Sequence, residues 1–338
     1  MKEIALEPRY DQSAPDLPLE SAGRLSPERV GIVLVALCAV NGAFVPPVAK
    51  ITTRAADPLA VTIATTWLAA ATAVVILLVR RRLAVFFRPA VLFPLAVLGA
   101  LGTSVAFVLF FTGAARASAI ETLLCLQIEP VYSLLLSWLV LGIRPTWERV
   151  AATALILSGL FVAVGVQGFS VGSGTWYLLA TPLCWQVSHL VVVRWLRGLE
   201  AVVLTAARYI WGAVLLSLFT GKGPLAGIDR LDSSPFPWGW VALQGVVLSY
   251  GGTTLWYGAI ARIDLARATV LVVPTVPVLS ILASFFLLGE VPSMQQLAGA
   301  AITSVGVFAF ARKGIEASAR PRSVGEPVSE NRHTLTPG

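Results

Sequence analysis

The sequence predicts an all-α polytopic membrane protein: ten transmembrane helices arranged as two inverted five-helix repeats. Three observations carry that reading. The 338 residues are 57% hydrophobic and only 13% charged, whereas soluble domains are about 45–50% apolar and about 25% charged. The apolar residues gather in ten runs, each close to the ~20 residues that a helix needs to cross the hydrocarbon core. The second half of the chain also repeats the first.

The elements follow in order. Residues 1–29 are polar, with Pro8, Pro15 and Pro18. They read as a flexible cytoplasmic tail rather than a signal peptide, because no short basic head leads into an apolar run with a small-residue cleavage site. The apolar runs lie at 30–49, 59–79, 91–112, 118–140 and 148–167 in a first unit (30–167). In a second unit (174–311) they lie at 174–193, 200–220, 238–259, 268–288 and 294–311. Helices are expected because backbone polar groups in lipid must be satisfied within the segment. Ser26-Pro27, Thr146 and Ser293 carry helix-start chemistry, and Gln296 completes a capping box with Ser293. The end, 314–338, reads as a second flexible tail.

Lys and Arg set the orientation. With the N-terminus cytoplasmic, nineteen of the 25 basic residues fall on the cytoplasmic side and five on the outer side, with Arg208 left inside a span. Both termini are therefore expected in the cytoplasm. The net charge of +7 belongs to this pattern and points to no nucleic acid.

The repeat is explicit. Shifted by 147 positions, EPVYSLLLSWLVLGIRPT (129–146) falls on VPVLSILASFFLLGEVPS (276–293), with eight identities across 130–145. Pro130 meets Pro277, Gly142 meets Gly289, and further on Gly159 meets Gly306. Earlier in the halves a shift of 143 aligns DPLAVTIATTW with EAVVLTAARYI. Five helices per unit is an odd number, so the second copy enters the membrane upside down. Many secondary transporters are built this way around a midplane site.

Glu129-Pro130, Leu141-Gly142, Pro277 and Leu288-Gly289-Glu290, doubled at this spacing, resemble the drug/metabolite transporter superfamily, EamA-type, over about 28–313. The resemblance implies ten helices, cytoplasmic termini and a central cavity lined by helices 1, 3, 4, 6, 8 and 9. It also implies movement of small organic metabolites, often outward, without nucleotide hydrolysis, in a bacterial inner membrane. The chain departs from the pattern at Ile143, which replaces an acid. Asn41-Gly42 stands where Trp-Gly is common, Pro46-Pro47 is unusual, and Thr65 replaces an arginine whose counterpart, Arg208, is kept.

Polar residues inside the spans are the site candidates. Pro130 deprives the Leu126 carbonyl of its partner and kinks the fourth helix. Glu129 sits beside that kink, and an intramembrane carboxylate costs about 2.5–3.5 kcal/mol on insertion scales. It reads either as a substrate or proton site or as a structural acid bonded to neighbouring helices, and both readings stand. Trp185, Gln186, His189, Tyr250 and Trp256 are further candidates for binding or coupling, each with helix packing as the competing reading. Pro274 and Pro277 interrupt the ninth helix as Pro130 interrupts the fourth, and paired interruptions point to a transporter's binding site. Three charged residues are expected to be structural: Glu121 as an interfacial acid, Glu290 as the organiser of a loop, and Arg208 as half of an ion pair locking helix 7, with binding of an anionic substrate group as its competing reading. Lys50 is expected to snorkel to the interface.

Other classes are poorly supplied. The three cysteines, Cys38, Cys125 and Cys184, each lie in an apolar run and read as small hydrophobes. Two histidines and no CxxC pair leave nothing to build a metal site from. No phosphate-binding glycine loop or clustered nucleophile and base suggests an enzyme. No cofactor is expected. The partners expected are a small-molecule solute and membrane lipid, with a homodimer left open. Facilitated diffusion and lipid translocation stay open beside coupled export.

Overall fold

The computed structural model describes residues 26–164, 172–223, 235–263, 268 and 275–319. Pro274, most of both tails and the 165–171 linker lie outside these residues. Each of the ten apolar runs falls on a helix. The first unit holds α1 (Pro27–Ala55), α2 (Pro58–Val79), α3 (Pro89–Arg116), α4 (Ala119–Leu126, then Glu129–Leu141) and α5 (Trp147–Val164). The second holds α6 (Ser173–Trp195), α7 (Ala201–Thr220), α8 (Pro235–Ala242, then Leu243–Gly251 and Gly252–Ile260), α9 (Thr275–Leu288) and α10 (Met294–Ala319). Among the described residues, six helices, α1 to α4, α6 and α7, are long and apolar enough by themselves to cross a membrane. Of the other four, α5 has 18 residues and α9 has 14, α8 is divided into three segments, and only Met294–Phe310 of α10 counts as an apolar helix.

Local chemistry sets the ends. The Ser26 hydroxyl accepts from the Arg29 amide at 3.3 Å with Pro27 in the first turn, so α1 starts inside the stretch expected to be tail. At the far end, α10 runs on to Ala319. Ser293 and Gln296 exchange backbone bonds of 2.9 and 3.1 Å, a complete capping box. Gly142 and Gly289 adopt φ of 69° and 67°. Their amides, with those of Ile143 and Glu290, fold back onto Trp138 and Ser137 and onto Phe285 and Ser284. This left-handed cap needs glycine, which explains why Leu-Gly recurs at one place in both units.

The two units interlock through equivalent helices. α2 packs on α7, and α5 packs on α10 more extensively than on any other element. Gly159 and Gly306, the repeat partners, make the second contact possible. A Cβ on Gly159 would sit 2.5 Å from the Thr303 amide nitrogen, and one on Gly306 2.8 Å from that of Ile156. α9 lies on α1 and α4 on α6, as an inverted pair requires.

Two equivalent helices are wound loosely at mid-length: α3 over Ala100–Val105 and α8 over Leu243–Gly251, both as π-helix. Such segments shift carbonyls out of the regular ladder and recur at functional sites. Here those carbonyls are taken by other helices.

Overpacking the α5–α10 seam is expected to destabilise the bundle. Gly159→Val and Gly306→Val should each cost about 1–3 kcal/mol, read as a lowered melting temperature of the detergent-solubilised protein. Gly239→Val, where a Cβ meets open space, serves as the neutral control.

Candidate functional site

The interruption of α4 lies where Pro130 demands it. Gln127 and Ile128 close tight turns onto Leu124 and Cys125, and the helix resumes at Glu129 with Pro130 in its first turn. A proline is tolerated there because the first turn has no intrahelical acceptor for its missing N–H. The break turns Glu129 toward α6, where its Oε1 accepts a 2.6 Å hydrogen bond from Gln186 Nε2. Two candidates from distant positions thus meet directly. On the same helix the Trp185 ring lies 6.4 Å from Phe110 of α3, and its indole N–H is buried with no acceptor.

Arg208 enters this region from α7. Its Nε donates to the carbonyl of Gly102, in the loosely wound part of α3, at 3.0 Å. The glycine leaves room for this approach, since a Cβ would stand 3.1 Å from Ser188 Oγ and 3.2 Å from Arg208 Nε and would push them back by a few tenths of an ångström. The arginine's charge reaches Glu129, His189 and Tyr257. The ion pair expected for it is not found. Among the described residues no carboxylate lies within 4.0 Å of its guanidinium.

The neighbouring Tyr209 does the matching work on the other side. Its hydroxyl donates to Ser249 O in the loosely wound part of α8 at 2.8 Å and contacts Thr253 Oγ1. Tyr250 lies beside it, ring centroids 6.0 Å apart and the rings tilted by 52°. Asn41 of α1 donates to Val247 O at 2.8 Å. Sequence reasoning missed Tyr209 and gave Asn41 no role. Their signal was polarity in the middle of apolar helices.

Other candidates lie elsewhere. Trp256 packs beside Val35, Ile263 and Ala259. Pro277 is buried in the first turn of α9. A groove of 270 Å³ between α1 and α9, lined by Val40, Phe44, Leu279 and Phe286 among others, is wholly apolar and holds none of the candidates. No group of three His, Cys, Asp or Glu side chains among the described residues is placed to hold a metal ion.

One end of the bundle is laced with polar contacts. Glu290, just past α9, caps the start of α4 by accepting from the amides of Ala119 at 2.9 Å and Ile120 at 3.3 Å, and lies 3.7 Å from Arg54. Glu121 takes a 2.5 Å bond from Thr175 of α6. Lys50 turns inward rather than snorkelling, donating to Ala114 O and Ala115 O at 3.2 and 3.0 Å. The end of α3 leaves those carbonyls without helical partners, and a cation there is favoured. α1, α3, α4, α6 and α9 meet at this point.

The sequence profile described as the EamA-like transporter family matches residues 29–165 and again 172–312. The chain belongs to the EamA-like transporter family. The resemblance expected from the doubled Pro and Leu-Gly positions is therefore confirmed. Among relatives, a protein of Streptantibioticus cattleyicolor named as a probable terminal-alkyne amino-acid exporter is 30% identical over 226 residues, covering 65% of this chain and 73% of that one. An uncharacterized transporter of Synechocystis is 24% identical over 227 residues, 64% of each chain. Another, of Bacillus subtilis, is 25% identical over 222 residues, 63% of this chain and 70% of that one. A solved crystal structure shares the EamA-like chain's fold with a TM-score of 0.60 at 21% identity, covering 85% of this chain and 99% of the other.

Removing the carboxylate that caps α4 is expected to loosen the laced end. Glu290→Ala should cost about 0.5–2 kcal/mol, the range for a lost helix cap, seen as a lower melting temperature. Arg54→Ala should change little, since its contact is half-exposed and such pairs contribute about 0–1 kcal/mol.

Proposed function

We propose that this EamA-like protein is a secondary transporter of small organic solutes in a bacterial inner membrane. It works as an exporter by alternating access, with both termini in the cytoplasm. The observation that carries the reading is the Glu129–Gln186 hydrogen bond. It joins the interrupted helix of the first unit to the first helix of the second, so the one carboxylate beside a helix break spans the seam between the repeats. A group that bridges two halves changes its surroundings when the halves rock, which is what a coupling or binding residue must do.

Membership of a transporter family and the inverted pairing of the helices support transport over catalysis. The laced end supports a state in which α1, α4, α6 and α9 are closed together on one side. The name of the Streptantibioticus cattleyicolor relative, a probable terminal-alkyne amino-acid exporter, supports amino-acid-like solutes as the class to test first. The basic residues gathered at the opposite end support cytoplasmic termini.

Proton coupling through Glu129 is part of the proposal. In liposomes, Glu129→Gln is expected to lower solute flux at least tenfold and to abolish its dependence on pH, with the detergent-solubilised variant still monodisperse. A variant that keeps full, pH-dependent flux would sink the carboxylate mechanism. Fast flux in both proteins with no pH dependence would instead favour a facilitative uniporter.

A further inference from the structure

The connection between α2 and α3 carries four arginines in nine residues, Arg80, Arg81, Arg82 and Arg88. It is docked against the bundle. Leu83–Phe87 forms a short 3₁₀ stretch that packs on α2, α3 and α7, with Phe86 buried and Leu83 and Val85 set against the core. Arg82 holds Glu200 at the start of α7 with two prongs, Nε at 3.1 Å and Nη2 at 2.5 Å. Arg80, Arg81 and Arg88 are exposed, and among the described residues their side chains have no hydrogen bond or ion pair. The cations of the laced end differ. Lys50 is taken by carbonyls, Arg54 by Glu290 and Arg116 by the ring of Tyr177.

The backbone supplies a second observation. Arg81 closes α2, its amide bonding to Leu78 O and that of Arg82 to Leu77 O, and it does so in the left-handed conformation, φ 52°. That conformation disfavours a residue with a Cβ. The other left-handed positions among the described residues, Gly142, Gly198, Gly221 and Gly289, are all glycine. A residue held against this preference is a pointer to function, and what arginine adds over glycine is a cation on a long stem.

Depth in the membrane completes the case. Val79 of α2 is 73% exposed and Phe93 of α3 is 75% exposed, so both face lipid in a chain that spans it. Arg80 and Arg81 follow Val79 directly, and Arg88 stands little more than one helical turn before Phe93. The free guanidiniums therefore lie where hydrocarbon gives way to headgroups. Their planar forks match phosphate oxygens, and basic clusters at the cytoplasmic end of a span attract anionic lipid.

We propose that Arg81 and Arg88, on a loop anchored by Phe86 and by the Arg82–Glu200 pair, bind the phosphate of an anionic phospholipid in the cytoplasmic leaflet. This rests on the membrane topology proposed above and not on transport.

The test follows the melting temperature of the full chain in detergent as phosphatidylglycerol is added, with phosphatidylcholine of the same acyl chains as the zwitterionic control. Phosphatidylglycerol is expected to raise the melting temperature saturably and phosphatidylcholine much less. Arg81→Gly and Arg88→Gln should each raise the lipid concentration at half-maximal stabilisation about fivefold, the worth of one arginine at a charged membrane surface. Without lipid, Arg81→Gly should melt no lower than the wild type, since glycine suits the left-handed turn, so its weakened response reports lost binding rather than a damaged fold. Arg144→Gln, at an exposed arginine between α4 and α5, should leave the response unchanged. A phosphatidylglycerol effect no larger than that of phosphatidylcholine overturns the proposal. So does an unchanged response in the Arg81→Gly, Arg88→Gln double variant, or an equal weakening by Arg144→Gln. Glycerol phosphate alone producing the same rise at the same concentration overturns the lipid as the ligand in favour of a soluble anion.

Discussion

A carbonyl released from its own helix inside a membrane must find a donor on another element, because lipid supplies none. The structure turns on that constraint. α3 and α8, equivalent in the two units, are both loosely wound at mid-length, and consecutive residues of one helix, Arg208 and Tyr209, reach in opposite directions to bond one carbonyl in each. α7 is thereby a post between the units rather than a peripheral helix. Ser104 adds a return bond to Gly212 O at 2.8 Å, and Gly99 and Gly212 bring α3 and α7 into backbone contact.

Around that post the candidate site is assembled from breaks and gaps rather than from regular helix faces. Pro130 interrupts α4 and turns Glu129 to Gln186. Gly102 leaves the space that the Arg208 side chain fills. Asn41 stands against Gly252 and Val247, so α1 is also tied to the loosely wound part of α8. Each of these depends on a residue with a missing donor, a missing side chain or a short polar tip, and none would survive in a bundle packed by leucine alone.

The sequence made much of the framework legible. Apolar runs located the helices, Ser26 and the Ser293–Gln296 pair marked two starts, and the repeat placed Gly142 on Gly289 and Gly159 on Gly306, which proved to be the left-handed caps and the α5–α10 seam. Glu129 and Gln186 were both named, yet nothing in the chain says that residues 57 positions apart bond to each other. The roles of Tyr209 and Asn41 were hidden for a related reason. A π-helical stretch leaves no mark in hydrophobic periodicity, so the carbonyls it frees are invisible until the backbone is seen. Lys50 turned inward because the end of α3 lies beside it, again a fact of packing rather than of spacing.

The inverted repeat has one further consequence at positions 143 and 290. A protein with a perfect twofold axis in the membrane plane has two end states that are mirror copies in energy, with no reason to rest in either. Here Glu290 follows one left-handed cap and closes onto the start of α4, whereas Ile143, which follows the other, carries no group able to cap a helix. At this pair of positions one unit holds a helix cap for which the other has no equal. Gly-Glu in one unit and Gly-Ile in the other is thus one place where the twofold repeat is broken, as Arg208 and Thr65 are another.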